Sequence, residues 1–149
     1  MHPVIHDPLG TGSRLSPLDS ALARVGDRWS LLLVEALLEG PLRFNELGSV
    51  VAGIAPNILS ERLKRLEREG IVRTEPYTQR PLRLRYSLTT EGQELAGALR
   101  LLAAWGARAG DSDDLLRHIA CGTPMEARWY CSTCARSVEG AEATSLRFV

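Results

Sequence analysis

Residues 56–70 read Pro56-Asn57-Ile58-Leu59-Ser60-Glu61-Arg62-Leu63-Lys64-Arg65-Leu66-Glu67-Arg68-Glu69-Gly70, and they run directly into Ile71-Val72-Arg73-Thr74-Glu75-Pro76-Tyr77-Thr78-Gln79-Arg80-Pro81-Leu82-Arg83-Leu84-Arg85. The first half predicts a helix. Proline occupies the first helical position, where its missing N–H costs nothing. Leu59, Leu63 and Leu66 form an apolar stripe at i, i+4, i+7, and Gly70 terminates the helix. The second half predicts two strands, Ile71–Tyr77 and Leu82–Leu88, around a polar tip at 78–81. In the second strand Leu82, Leu84, Tyr86 and Leu88 alternate with Arg83, Arg85 and Ser87.

The stretch 56–85 holds eight basic and four acidic residues, while the whole chain has a net charge of +0. The positive charge is therefore local. A neutral chain with one basic stripe suits a specific phosphate-contacting surface better than a general polyanion binder. A basic helix that fits a major groove, followed by a basic ribbon that lies on the adjacent backbone, is the working unit of a winged helix-turn-helix.

Outward from this unit, Pro17 opens a short helix with Leu18, Leu22 and Val25 at helical spacing, ended by Gly26. Asp27 is a good N-cap for a helix over Arg28–Leu38. That helix is apolar almost all round, and so is expected at the centre of the core. Leu42-Arg43 predicts a short strand and 44–51 a two-turn helix with Phe44, Leu47, Val50 and Val51 inward. Thr90–Gln93 fits a capping box for a helix reaching about Ala109. Its two apolar rows, Leu95/Leu99/Leu102 and Ala98/Leu101/Trp105, predict one face for its own domain and one for a second subunit.

At 149 residues the chain is long enough for one domain and a small appendage. The expected divisions are a flexible arm over 1–16, a DNA-binding and dimerisation domain over 17–109, and a C-terminal module over 110–149. The fold class expected is mainly α with a small β wing, dimerising through terminal helices. The start of the chain lacks the apolar run of a signal peptide, and Leu31–Leu38 is too short to span a membrane. Both point to the cytoplasm. His2 and His6 are separated by Pro3 and followed by Pro8, which disfavours a helix that would pair them as ligands.

All three cysteines lie in the C-terminal module. Asp111–Asp114 marks a break, a short helix is expected over Leu115–Ile119, and then come His118-x2-Cys121 and Cys131-x2-Cys134. These are two ligand pairs at knuckle spacing, and a structural zinc ion takes four N/S ligands in a closed tetrahedron. One structural Zn²⁺ per chain on His118, Cys121, Cys131 and Cys134 is the expectation. The alternative is three reduced thiols beside a histidine. An odd number of cysteines argues against a disulfide framework. No Ser/His/Asp set, Gly-rich phosphate loop or His-Glu-x-x-His pattern stands out, so an enzyme is not expected.

With these elements in place, the chain resembles the HxlR-type winged helix-turn-helix regulators, a branch of the MarR-like superfamily. The matching segments are Pro17-Leu18-Asp19, Val25-Gly26-Asp27-Arg28-Trp29, Gly40-Pro41-Leu42-Arg43-Phe44-Asn45-Glu46-Leu47, Gly53-Ile54-Ala55-Pro56, Leu66-Glu67-Arg68-Glu69-Gly70-Ile71-Val72 and Tyr86-Ser87-Leu88-Thr89-Thr90-Glu91-Gly92. The resemblance implies a homodimeric bacterial transcription factor on a pseudo-palindromic operator. Many relatives carry a cysteine where this chain has Ser16, so sensing through that thiol is not expected. Ala55 replaces the Ser or Thr that often precedes the recognition-helix proline, which removes a capping hydroxyl worth about 1 kcal/mol.

Asn57, Ser60, Glu61 and Lys64 are the expected base-reading residues. Arg62, Arg65, Arg80, Arg83 and Arg85 are expected on phosphates or in the minor groove. The competing explanation is a solvated amphipathic helix, and the adjoining basic hairpin disfavours it. Arg68 and Arg73 are weaker candidates, because Glu67, Glu69 and Glu75 stand ready to pair with them. The function expected is sequence-specific DNA binding by a repressor. The alternative is a winged helix used as a protein-interaction module. A small-molecule effector site among Trp29, Leu33 and Trp105 is conceivable, with ordinary core packing as the competing reading.

Overall fold

The computed structural model describes residues 16–109, 115–138 and 146. All but Ser16 of the expected N-terminal arm, the break at 111–114 and nearly all of the last residues lie outside this set. The elements run α1 (Pro17–Val25), α2 (Arg28–Leu38), β1 (Leu42–Arg43), α3 (Phe44–Val50), α4 (Pro56–Arg68), β2 (Val72–Gln79), β3 (Leu82–Leu88), α5 (Thr90–Ala109), β4 (Trp129–Cys131) and β5 (Arg136–Val138). This is a winged helix-turn-helix. β1, β3 and β2 form an antiparallel sheet in that spatial order, with Leu42 opposite Tyr86 and Val72 opposite Leu88.

The core assembles around α2, as its all-round apolarity predicts. Leu33, Val34 and Leu37 are buried there and meet Leu47 of α3, Leu59, Leu63 and Leu66 of α4, and Ile71, Val72 and Leu88 of the sheet. The α4 stripe at i, i+4, i+7 is thus the face turned inward, which leaves the opposite face to solvent.

Three junctions set the helix ends. Ser16 accepts from Asp19 N at 3.0 Å and donates its own N–H to the Asp19 carboxylate, a capping box that opens α1. Gly70 sits at φ +70, where a side chain would be strained, and the Ile71 N–H closes back onto Leu66 O at 2.9 Å. α5 is capped one residue earlier than the Thr90–Gln93 pattern predicts. The Thr89 hydroxyl accepts from Gly92 N at 3.1 Å and donates to Gly70 O at 2.5 Å, so one side chain ties the start of α5 to the end of α4.

Other details differ from the sequence pattern. Leu82 and Leu84 are exposed, because the outer half of the hairpin projects beyond the domain, where alternation no longer has a core to face. Val50 is exposed, and Val51 takes the buried place at the end of α3. On α5, Leu95 and Leu99 pack on the domain, whereas Leu102 joins Leu101 and Trp105 in an exposed apolar patch. No helix forms at Leu115–Ile119. Arg117 instead bridges Pro124 in antiparallel fashion, and 118–122 is a turn. Among the described residues no helix is long and apolar enough to cross a membrane.

Leu66→Ala removes a fully buried side chain at the α2–α4 contact. It should lower unfolding stability by about 3 kcal/mol, whereas Leu82→Ala on the exposed wing should cost less than about 0.5 kcal/mol. Urea unfolding followed by circular dichroism measures both.

Candidate nucleic-acid interface

The candidate surface is the outer face of α4 with the β2–β3 wing. Asn57, Glu61, Lys64 and Arg68 recur at i, i+4, i+7, i+11, which puts them on one face of the helix, and all four are exposed. Ser60 lies beside them, half-buried. α4 begins with Pro56 after Ala55, and no side chain caps it. Its first N–H groups are therefore left without a side-chain partner at the end of the helix that carries the positive pole.

The basic residues of this region fall into two groups. Arg62 Nε lies 3.0 Å from Asp27 Oδ1, and its Nη1 lies 2.7 Å from Glu61. Arg65 reaches Asp27 Oδ2 at 3.5 Å and donates to Ala23 O at 2.5 Å. Arg85 pairs with Glu75 at 3.3 Å, and Arg73 pairs with the same carboxylate at 2.8 Å. These four arginines answer carboxylates within the domain. Lys64, Arg68, Arg80 and Arg83 make no ion pair among the described residues, and all four are exposed. Free cations of this kind are the ones whose charge is fully available to a phosphate.

Arg68 therefore has a stronger place on this face than its acidic neighbours suggest. Glu69 is engaged by Arg24 at 3.2 Å and Glu67 accepts from the Thr74 hydroxyl at 2.7 Å, so neither takes Arg68. Arg43 is a further candidate that pattern reading passed over. It precedes α3, and its guanidinium stacks over the Tyr77 ring of the wing, 4.6 Å from the centroid. No local signal announces that pair, since the two residues meet through the sheet.

Asp27 holds the surface in place. Its carboxylate caps α2, accepting from Ser30 N at 3.1 Å and from the Ser30 hydroxyl at 2.6 Å, and it also receives Arg62 and Arg65 from α4. Burial alone would raise its pKa. Hydrogen bonds from Ser30 and Arg62 outweigh that and hold the carboxyl below its ordinary value.

The histidine and three cysteines of the C-terminal module form two pairs. His118 Nδ1 is 3.3 Å from Cys121 Sγ, and the Cys134 thiol and backbone N–H both hydrogen-bond Cys131. None of the three cysteines is in a disulfide. Among the described residues no group of three or more His, Cys, Asp or Glu is gathered closely enough to hold a metal ion. Leu33 is fully buried, Trp29 is packed against the core and Trp105 is exposed. A concavity of about 730 Å³ lies elsewhere, between α5 and residues 115–128.

The HxlR-like helix-turn-helix family matches residues 24–114. The HTH-type transcriptional regulator YodB of Bacillus subtilis is 34% identical over 95 residues, 63% of this chain and 85% of the relative. The uncharacterised HTH-type transcriptional regulator Rv3095 of Mycobacterium tuberculosis is 34% identical over 128 residues, covering 83% of this chain and 80% of its own. Among solved structures, the redox regulator HypR in its reduced form superposes with a TM-score of 0.61 at 33% identity, covering 64% of this chain and 95% of that one. PA1374 of Pseudomonas aeruginosa, solved as a candidate transcription factor, superposes at 0.63 with 32% identity, covering 86% and 89%.

Asp27→Asn keeps the shape but gives up the charge. At neutral pH it should destabilise the domain by about 2 kcal/mol. The Asp27 contribution is present in full above the unfolded-state value of about 3.9 and is lost as pH falls through the lower folded-state value. The gap between wild type and variant should therefore close as the pH drops below about 4, read from urea midpoints across a pH series.

Proposed function

The chain belongs to the HxlR-like helix-turn-helix family and is a DNA-binding transcriptional regulator, and from that premise we propose that it works as a homodimeric repressor on a pseudo-palindromic operator. The observation that carries this reading is the set of cations Lys64, Arg68, Arg80 and Arg83, which make no ion pair among the described residues and are presented on one exposed helix face and the adjoining wing. In this reading α4 enters the major groove, with Asn57, Ser60, Glu61 and Lys64 toward base edges, and the wing lies on the flanking backbone. Arg62, Arg65 and Arg85 serve mainly to hold the reading surface in register, since each is already engaged within the domain.

Dimerisation rests on apolar surface. Leu101, Leu102 and Trp105 are exposed on α5, and Leu18 and Leu22 are exposed on α1. Exposed leucines and a tryptophan clustered on terminal helices suit a two-fold contact. Such a dimer would set its two α4 helices about 34 Å apart, one duplex turn. Repression then needs no further device, because a dimer seated on an operator excludes polymerase by volume. The protein acts in the cytoplasm by binding rather than by catalysis.

The test is retention of a labelled duplex from the upstream region of its own gene against random competitor, at two salt concentrations. Wild type should resist competition and show a steep salt slope. Lys64→Ala and Arg83→Ala should each weaken binding and reduce the slope by about one if the residue meets a phosphate. Unchanged binding in both variants would remove Lys64 and Arg83 from the interface, and no binding by wild type at low salt would favour the protein-interaction reading. Trp105→Glu should shift the mass in light scattering from dimer to monomer, and a monomeric wild type would overturn the two-fold arrangement.

A further inference from the structure

Residues 115–138 form β structure without a core. Among them every residue is exposed or half-buried. The segment still contains the β4–β5 hairpin and the Arg117–Pro124 bridge. A segment this short and this open buries too little apolar surface to offset the entropy of ordering its backbone, and such segments are usually closed by disulfides or a metal. The three thiols form no disulfide, and one disulfide would leave a third thiol over.

The two turns are built alike. In each, a ligand-type residue is followed three positions later by a cysteine, and the next residue has positive φ: Gly122 at +69 and Ala135 at +52. At the first turn the Gly122 N–H returns to His118 O at 2.7 Å. The second turn is the loop of the β4–β5 hairpin. Such a turn aims both side chains of the pair at one point. The separation within the first pair fits a shared ion. Zn–S and Zn–N bonds of about 2.3 and 2.0 Å at a tetrahedral angle put sulfur and nitrogen about 3.5 Å apart, and His118 Nδ1 stands 3.3 Å from Cys121 Sγ.

We propose that His118, Cys121, Cys131 and Cys134 hold one structural zinc ion that staples the two turns into a small ribbon. The pairs are not gathered into one group in this structure. Closing the site requires the two turns to approach one another through residues 125–128, which are exposed and have no regular structure, while the Met125 N–H is held by Leu116 O at 2.7 Å. Three thiolates and one imidazole match the preference of zinc for soft N/S donors and leave no open position for a substrate. Binding releases the thiol protons to solvent. This inference is independent of the operator reading.

The experiment uses the full chain, produced with zinc present and dialysed against metal-free buffer. Elemental analysis should find one zinc per chain. Cobalt(II) added to the chelator-stripped protein should give thiolate charge-transfer bands and the intense visible bands of a tetrahedral site, saturating at one equivalent. Cys131→Ser and Cys134→Ser should lose the metal. His118→Ala should lose it or alter the cobalt spectrum, while His2→Ala and His6→Ala should leave both readouts unchanged. Far less than one zinc in wild type, a pale octahedral cobalt spectrum, or zinc retained by both cysteine variants would each overturn the proposal. Binding to random duplex at low salt, measured alongside, reports whether the helix-turn-helix domain of each variant is intact. It also separates failure of the metal site from failure of the DNA-binding reading.

Discussion

One carboxylate, that of Asp27, decides how the reading helix is held. It sits at the N-terminus of α2, the central helix of the core, and accepts from the Ser30 backbone and hydroxyl. The same two oxygens receive Arg62 and Arg65 from α4. The apolar contact between α2 and α4 fixes their separation, but leucines slide against leucines at little cost, whereas directional hydrogen bonds do not. Asp27 therefore sets the rotation of α4 about its axis, and with it the direction in which Asn57, Lys64 and Arg68 face. A second ionic knot at the far end works the same way. Arg24 of α1 meets Glu69 after α4 and Glu91 at the start of α5, at 3.2 and 2.6 Å.

This arrangement divides the arginines of a neutral chain by task. Those that answer Asp27 and Glu75 shape the domain, and those left unanswered supply the field outside it. The net charge of 56–85 equals that of the four cations that make no ion pair among the described residues, so it is gathered on the outward face of α4 and the wing tip. Local positive potential on a neutral body favours association with a phosphate backbone while limiting adhesion to polyanions in general.

The two parts of the chain rest on different physics. Residues 17–109 are held by a continuous leucine, valine and isoleucine core around α2. Residues 115–138 have no such core, and are ordered by backbone hydrogen bonds and by exposed polar contacts such as Arg117 to Gly122 O and His118 to Cys121.

The local patterns in the sequence carried most of the architecture. The leucine stripe of α4, the Asp27 cap, the Gly70 stop and the alternating strands are written in neighbouring residues, and each became the expected element. The lapses were also local in origin. The Thr90–Gln93 box gave way to Thr89 because that hydroxyl also reaches the carbonyl of Gly70. A helix at 115–119 gave way to a turn closed by Thr123 O on the His118 N–H. Which arginines stay free was decided by the tertiary structure. Arg62 and Arg68 look alike in sequence, each next to a glutamate, but Asp27, 35 residues away from Arg62, takes one, and Arg24 and Thr74 occupy the acids beside the other. Periodicity and capping act over a few residues and can be read directly. Pairing of charges depends on which helices the core brings together, and only the folded chain settles that.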